Sequence, residues 1–335
     1  MNRNNHPPAN IARAHRTLVP AAPLDVARTL RPLQRGTGDP AFRLTEQGLW
    51  LGLRHGGVPV SVHLRSRTRL GLDAEVELEA YSPDPSTAEA LLDRAEILLG
   101  VDAQALAGWA EFDKRLQRDQ HWRMLLPEWV PEARRRRPGL RFPATGALVS
   151  QLFAVVLEQK VTHDQARAGW RWLLRSAGEP APGPVPEGLR VPPDPEQVRL
   201  IPSWCWHQGW VQPAMSRAML QVAQRASALE RLAVTEPVDR LALTITAVPG
   251  IGPWTAAETL QRTHGAADVV SVGDYHLAHQ VGEALTGRRT DDAGMLELLE
   301  PFRGHRHRVV RLLLSGGMRF ARFGPRLAPT DFRDR

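Results

Sequence analysis

One segment constrains this chain of 335 residues more than any other, because it predicts a sharp turn between two helices. The segment is Leu243-Thr-Ile-Thr-Ala-Val-Pro-Gly-Ile-Gly-Pro-Trp-Thr-Ala-Ala-Glu-Thr-Leu260. Pro249 ends the first helix, and Pro253 has the fixed φ that suits the first turn of the second. Gly250 and Gly252 allow a tight turn without side chains above it. Backbone N–H groups beside a helix N-terminus are then exposed, which predicts a phosphate site.

A carboxylate follows this turn at a short distance along the chain. The β-branched stretch Asp268-Val-Val-Ser-Val-Gly273 is expected to be extended, and Asp274 then opens an amphipathic helix. Asp is a favoured N-cap residue, so its position alone does not require a chemical role. Within the turn itself, Ile251 lies between the glycines and is expected to anchor the hairpin in the core.

The remaining sequence predicts an α+β fold. Apolar residues alternate in 49–53, 58–64 and 75–79, as in strands of an antiparallel sheet, and a helix is expected from Asp84 and Pro85 to Gly100. From about 103 onward the periodicity is helical, and seven prolines between 178 and 195 indicate a surface connection. The predicted units are a disordered tail at 1–22, a small N-terminal antiparallel β/α domain at 23–102, a mainly α-helical body at 103–325 and a tail at 326–335.

Composition excludes several classes of protein. A single cysteine, Cys205, rules out a disulfide framework, a Cys-rich zinc finger and a four-cysteine iron–sulfur cluster. No apolar run is long enough for a membrane span, and the N-terminus lacks a secretory signal, so we expect a cytoplasmic protein. The net charge of +7 suggests nucleic acid as partner. All but two of the 43 basic residues are arginine, however, a bias that a GC-rich genome explains equally well.

The hairpin and the aspartate together resemble the helix–hairpin–helix DNA glycosylase superfamily. The pattern Val248-Pro-Gly-Ile-Gly252 matches its DNA-binding hairpin in full, here at about 238–264, and Asp274 follows at the spacing of its catalytic carboxylate. The N-terminal α+β domain and Arg137-Pro-Gly-Leu-Arg-Phe-Pro143 are most similar to the alkylation-repair branch, the 3-methyladenine DNA glycosylase II type. This resemblance implies double-stranded damaged DNA as partner, monomeric action and an association with the nucleoid.

The resemblance also implies roles for individual residues. Backbone groups of Gly250, Gly252, Ile251 and Thr255 would hold DNA phosphates, and Asp274 would stabilise positive charge on the deoxyribose. A turn with the residues that fill the gap left by a flipped nucleotide would contain Gln159 and Lys160, although a charged residue departs from the usual apolar wedge. No cofactor or catalytic metal is implied, apart from a monovalent cation that hairpins of this kind often hold by backbone carbonyls.

The base pocket is predicted less sharply. Trp254 occupies the position at which strand-cutting relatives have a lysine nucleophile, so a monofunctional enzyme is implied, with Trp254 stacking against the flipped base. Glu258 lies one turn further on the same helix face, where the branch often has an aromatic residue. Trp204 and Trp206 form either a wall of this pocket or part of the core.

These implications lead to one main hypothesis and two alternatives. The main hypothesis is hydrolysis of the N-glycosidic bond of 3-methyladenine and 7-methylguanine after base flipping, because an alkylated purine carries a positive charge and leaves readily. One alternative is a non-catalytic helix–hairpin–helix DNA-binding protein, which needs no acid at Asp274. The other is a glycosylase of the same fold that acts on oxidised or mismatched bases.

Overall fold

The N-terminal part of the computed structural model, which describes residues 11–315, is a five-stranded antiparallel sheet. Its strands lie in the order β1-β5-β4-β3-β2. Their bounds are β1 Ala12–Leu18, β2 Phe42–Thr45, β3 Gly48–His55, β4 Val58–Arg69 and β5 Leu72–Ser82. The expected α+β class with an N-terminal antiparallel sheet is therefore confirmed.

Strand β1 shows that the predicted disordered tail at 1–22 is wrong over residues 12–18. This strand pairs with β5 along the edge of the sheet, and Arg13 forms an ion pair of 2.6 Å with Glu79 on that neighbour. Only Leu18 of the strand is fully buried. An edge strand stabilised by cross-strand pairs carries little of the apolar alternation on which sequence prediction depends. Residues 1–10 of the predicted tail lie outside the described part.

Short helices cover one face of the sheet and complete its core. They are α1 Val26–Leu30, α2 Pro85–Asp93 and α3 Ala95–Leu98. The Asp84 carboxylate caps α2 by accepting hydrogen bonds from the backbone N–H groups of Ser86 and Thr87. Gly100, with φ of +64°, ends the segment where the sequence predicted.

Helices make up most of the second half of the chain. Their bounds are α4 Ala103–Arg118, α5 Gln120–Leu125, α6 Trp129–Arg136, α7 Leu148–Val156, α8 His163–Ser176, α9 Pro195–Arg199, α10 Pro213–Gln224, α11 Ala226–Thr235, α12 Val238–Thr246, α13 Pro253–Thr263, α14 Leu277–Thr286, α15 Asp292–Leu299 and α16 Arg306–Ser315. Within the described residues, 3₁₀ segments occur at Arg31–Leu33, Ser203–Gly209 and Glu300–Phe302. None of the helices within 11–315 is long and apolar enough to cross a membrane.

Two hydrophobic cores divide the helical body. Helix α7 is buried on nearly all sides at the centre of the first core, against α8 and α10 to α13. The second core joins α4 to α6 with α14 to α16. Because α13 belongs to the first core and α14 and α16 to the second, the loop at 264–276 crosses from one to the other. The predicted tail at 326–335 lies outside the described residues.

The proline-rich segment at 178–195 differs from the predicted surface connection. It forms a two-stranded hairpin, β6 Glu179–Pro180 and β7 Arg190–Val191, that packs against the sheet. Leu189 and Val191 are buried against Trp50 and Tyr81. The apolar residues between the prolines therefore extend the core, which proline counting does not reveal.

Candidate active site and DNA interface

Helices α12 and α13 form the predicted helical hairpin, joined by the turn at 247–252. Gly250 has φ of +88°, and a Cβ at this position would lie 2.7 Å from the Cβ of Ala218 on α10. Only glycine meets both demands without strain. Ile251 is 4% exposed and belongs to the first core, so it holds the turn against the body.

The outer surface of this turn presents free backbone donors. Among the described residues, none accepts a hydrogen bond from the backbone N–H groups of Gly250, Gly252, Trp254 or Thr255. The last two belong to the first turn of α13, where the helix dipole adds positive potential. Gly252 has open space above it, since nothing lies within 4 Å of a Cβ built there. The hairpin therefore offers a cluster of donors suited to an anion such as a DNA phosphate.

The turn after α7 lies directly against the hairpin. The Gln159 side-chain amide donates hydrogen bonds to the Gly250 carbonyl oxygen at 3.0 Å and to the Thr255 hydroxyl oxygen at 2.9 Å. Thr255 is 2% exposed, and its hydroxyl is already engaged by Gln159. Lys160 is exposed at the tip of the turn with φ of +52°, a region that non-glycine residues rarely adopt. The structure thus places Gln159 as a brace of the hairpin and Lys160 beside it.

Asp274 lies between the hairpin and the start of α14. Its Oδ1 accepts hydrogen bonds of 2.9 Å from the backbone N–H groups of His276 and Leu277. Its Oδ2 accepts one of 3.2 Å from the indole Nε1 of Trp254. The helix begins at Leu277, three residues later than predicted, because Asp274 caps it from within the preceding turn. Three donors thus fix the orientation of one carboxylate.

The loop that carries Asp274 is held at several points. Its Asp268 accepts hydrogen bonds from the backbone of Gly304 and from Arg306. Its Ser271 accepts one of 3.1 Å from the side chain of Gln261. Its Gly273 donates one of 3.1 Å to Asp292. Such bracing keeps a carboxylate in place before a substrate arrives.

A cavity of about 280 Å³ opens beside Asp274. It lies between α13, α14 and α16, with an apolar wall and a polar interior. The apolar residues are Pro32, Phe142, Pro143, Val270, Leu277, Val310 and Leu314. The polar residues are Glu258, Gln261, Arg262, Ser271, Asp274, His276, Gln280, His307 and Arg311. The hairpin, the carboxylate and the cavity therefore form one continuous region.

A partly buried ion pair lines the cavity. Glu258 and Arg262 are 2.6 Å apart, and Arg262 also donates to the Pro32 carbonyl oxygen at 2.9 Å. Burial pushes the pKa of Glu258 upward, but the charge of Arg262 and the hydroxyl of Ser271 outweigh it and hold the pKa below its usual value. Glu258 is therefore ionised at neutral pH and cannot act as a proton donor there.

Two residues that the sequence did not single out for this pocket line the same cavity. His307 is 7% exposed, and burial, assisted by the charge of Arg311, lowers its pKa to about 3. Arg311 also has a lowered pKa, because burial disfavours its charge and Arg262 lies nearby. No group of three or more potential metal ligands occurs among residues 11–315.

The predicted tryptophans lie elsewhere. Trp206 is 3% exposed in the first core, with its ring centroid 5.6 Å from that of Trp172, and Trp204 is 71% exposed. Neither lines the cavity, and Trp254 contacts Asp274 without being among the lining residues. Of the predicted base-pocket residues, Glu258 lines the cavity, and Trp254 lies against Asp274, the candidate catalytic carboxylate.

The structure is similar to solved DNA glycosylases. A 3-methyladenine DNA glycosylase from Archaeoglobus fulgidus has a TM-score of 0.68 and 13% identity, covering 90% of this chain and 98% of that one. MBOgg1 in complex with a low-affinity DNA ligand has a TM-score of 0.66 and 12% identity, covering 90% and 95%. The apo form of an 8-oxoguanine glycosylase/lyase from Clostridium acetobutylicum has a TM-score of 0.63 and 10% identity, and the match covers 92% of this chain and 98% of that one. No protein-family model matches the sequence, and no curated protein matches it.

Proposed function

Since this chain has the fold of the helix–hairpin–helix DNA glycosylases, we propose that it is a monofunctional DNA glycosylase for alkylated purines in double-stranded DNA. The observation that carries the proposal is the position of Asp274, which is braced by three donors at the edge of a base-sized cavity and lies next to a hairpin with free N–H groups. Neither feature alone requires an enzyme. Their adjacency provides both a grip on the DNA backbone and a charge at the sugar.

The hairpin would bind phosphates on the damaged strand without regard to sequence. Contacts from backbone N–H groups position a protein on DNA but do not distinguish bases, which suits damage at scattered sites. The damaged nucleotide must then leave the stack for the cavity, since the reacting bond is inaccessible within the duplex. Lys160 is exposed beside the hairpin and would contact the DNA during this step, with its aliphatic stem as filler.

Asp274 would act on the sugar of the flipped nucleotide. As the bond between C1′ and the base nitrogen breaks, its electron pair passes to the base and positive charge develops on the deoxyribose. A fixed carboxylate stabilises this charge, and it also accepts a proton from the water that attacks C1′. Because the three donors to Asp274 are already in place, little reorganisation is needed at the moment of reaction.

The cavity supports the choice of alkylated bases. Neither Glu258 nor His307 can act as an acid at neutral pH, since Glu258 is ionised and His307 is neutral with a pKa of about 3. A normal purine leaves poorly unless it is protonated, whereas a purine methylated at N3 or N7 already carries the positive charge. A glycosylase without a buried acid is thus suited to cationic bases. Release of an oxidised or mismatched base is the second candidate, because one of the similar structures is an 8-oxoguanine glycosylase/lyase.

The test uses the full-length protein and methylated duplex DNA. We expect release of free methylated purines, and we expect Asp274→Asn to abolish release while DNA affinity stays near that of the wild type. Asp291→Asn is a matched control, because Asp291 caps α15 in the same way but lies outside the cavity. Full activity of Asp274→Asn would favour the non-catalytic DNA-binding protein, and a preference for 8-oxoguanine over methylated purines would overturn the alkylation proposal.

The monofunctional part of the proposal has its own test. Formation of a Schiff base needs an amine at the reacting sugar, and Trp254 stands where a lysine would be required. We expect borohydride to trap no protein–DNA adduct and strands to break only after alkaline treatment. Efficient trapping by the wild-type protein would overturn the monofunctional assignment, and its loss in Lys160→Gln would identify Lys160 as the nucleophile.

A further inference from the structure

The side chains of His307 and Arg311 both line the cavity, and neither has a hydrogen-bond partner among the described residues. No described residue is hydrogen-bonded to the imidazole of His307, whose ring centroid lies 4.6 Å from that of Phe142. No described residue forms a hydrogen bond or ion pair with the guanidinium of Arg311. Arg262, by contrast, is bonded to both Glu258 and Pro32. Of the two arginines that line the cavity, Arg262 thus has hydrogen-bond partners among the described residues and Arg311 has none.

Leaving such groups unpaired is costly for the folded protein. A buried polar group without a partner forfeits the hydrogen bonds it would make with water, and a charged group forfeits more. His307 is 7% exposed, and Arg311 is only partly accessible. Both line a space of about 280 Å³, so a ligand in that space is within reach of both. This combination is typical of groups whose partner is the ligand itself.

We propose that Arg311 and His307 select a base that presents a carbonyl oxygen. Among alkylated purines, this means the 6-oxo bases, such as methylated guanines, in preference to the 6-amino base 3-methyladenine. The inference rests on the proposed glycosylase function and adds the chemical class of base to it.

Hydrogen-bond chemistry is the first reason for this preference. A guanidinium has only donors, and a carbonyl oxygen accepts two hydrogen bonds, so the two are complementary. The exocyclic amine of adenine is itself a donor and would leave Arg311 without a partner. A neutral imidazole supplies one donor and one acceptor, which allows His307 to pair with the neighbouring edge of the same base.

The direction of charge movement is the second reason. During cleavage the positive charge leaves the alkylated base and develops on the sugar. Arg311 lines the cavity that receives the base, and Asp274 lies at its edge. A positive group on the base side and a negative group on the sugar side both favour this movement of charge. Electron density that returns to the base reaches its carbonyl oxygen, where a donating guanidinium stabilises it.

The experiment measures how fast individual bases leave the same methylated duplex. Wild-type protein is incubated with DNA that contains 3-methylguanine and 3-methyladenine, which carry the methyl group at the same position. Each rate is divided by the rate of spontaneous release. We expect the ratio of 3-methylguanine to 3-methyladenine to exceed unity and to fall by about tenfold or more in Arg311→Met, the effect of losing one charge-assisted hydrogen bond.

Two further variants keep the test decisive. Arg303→Met removes an exposed arginine that pairs with Glu300 outside the cavity, so the ratio should stay at its wild-type value. Arg311→Lys keeps the positive charge but loses the planar fork, and we expect an intermediate ratio. Because Arg311 has no ion pair among the described residues, Arg311→Met should melt no lower than the wild type.

The possible failures are distinguishable. If the wild-type protein releases no methylated base, the proposed function fails and this inference fails with it. If Arg311→Met is folded and active but has the wild-type ratio, the role of Arg311 is overturned and the glycosylase proposal stands. A wild-type ratio below unity would likewise refute selection for a carbonyl oxygen.

Discussion

The contact between Trp254 and Asp274 leads to a prediction that separates two roles for the tryptophan. The sequence suggests that Trp254 stacks on the flipped base, whereas in the structure its indole donates a hydrogen bond to Asp274 and does not line the cavity. Trp254→Phe keeps an aromatic ring and removes the donor. If activity depends on the indole hydrogen bond to Asp274, Trp254→Phe should lose almost as much activity as Trp254→Ala. If stacking matters, it should remain close to the wild type.

The expected size of the loss follows from the donors around the carboxylate. Among the described residues, Oδ1 of Asp274 has two backbone donors and Oδ2 has only the indole. A hydrogen bond to a charged group contributes about 1.5–3 kcal/mol. At 3.2 Å, with Asp274 only partly buried, we take the lower end, about 1.5 kcal/mol, which corresponds to roughly a tenfold slower chemical step.

Single-turnover kinetics isolate this step. With enzyme in excess over a duplex containing one methylated purine, the rate of base release reports the chemical step, and alkaline strand cleavage reports the product. Affinity for a duplex with an uncleavable abasic analogue is measured in parallel. We expect Trp254→Phe to slow release by roughly tenfold and to leave affinity within about twofold of the wild type.

Two results would refute this reasoning. A single-turnover rate for Trp254→Phe equal to that of the wild type would show that the indole donor does not position Asp274. A loss confined to affinity would place Trp254 in DNA binding instead of the chemical step. Trp122→Phe is a useful comparison, because Trp122 also donates through its indole, to the Pro301 carbonyl oxygen in the second core. It should affect stability and not the chemical step.

Two further predictions concern stability and pH. Gly250→Ala should lower the free energy of unfolding by about 1–3 kcal/mol because of its φ of +88° and the nearby Ala218, whereas Gly252→Ala should change it by less than about 0.5 kcal/mol. Equal decreases in the free energy of unfolding of the two variants, measured by urea denaturation, would contradict this prediction. His307 has a pKa of about 3 when folded and 6.5 as its ordinary value, because of burial and the charges of Arg311 and Arg262, partly offset by Glu258. A depressed pKa stabilises the folded protein above pH 6.5, and this contribution is lost as the pH falls toward 3. His307→Phe should therefore remove about 2 kcal/mol of the stability difference between pH 7 and pH 5, and an unchanged pH dependence would exclude this role.

The helical hairpin could be predicted from local sequence alone. The hairpin was predicted at about 238–264, and its helices lie at Val238–Thr246 and Pro253–Thr263. Proline and glycine restrict the backbone of their own residues, so such a turn is encoded within a few positions. The capping box of Thr162 and Gln165 at the start of α8 is local for a different reason, since its two hydrogen bonds join residues only three positions apart.

The cavity could not be predicted from local sequence patterns. Its lining comes from α13, α14, α16 and residues as distant as Pro32, and no spacing along the chain announces that these surfaces meet. Trp204 and Trp206 are close in sequence to one another but lie on the surface and in the core, away from the cavity. Sequence composition could not distinguish these positions, because burial depends on which helix packs against which.

The sequence by itself thus determined the α+β class, the hairpin turn and the aspartate that caps the following helix. All three depend on backbone preferences or apolar periodicity over a few residues. Only the tertiary structure decided that the indole of Trp254 holds Asp274, that residues 12–18 complete the sheet, and that Arg311 and His307 share one cavity. These features depend on contacts between residues far apart in the chain, and such contacts exist only after the sheet and the two cores of the helical body have packed.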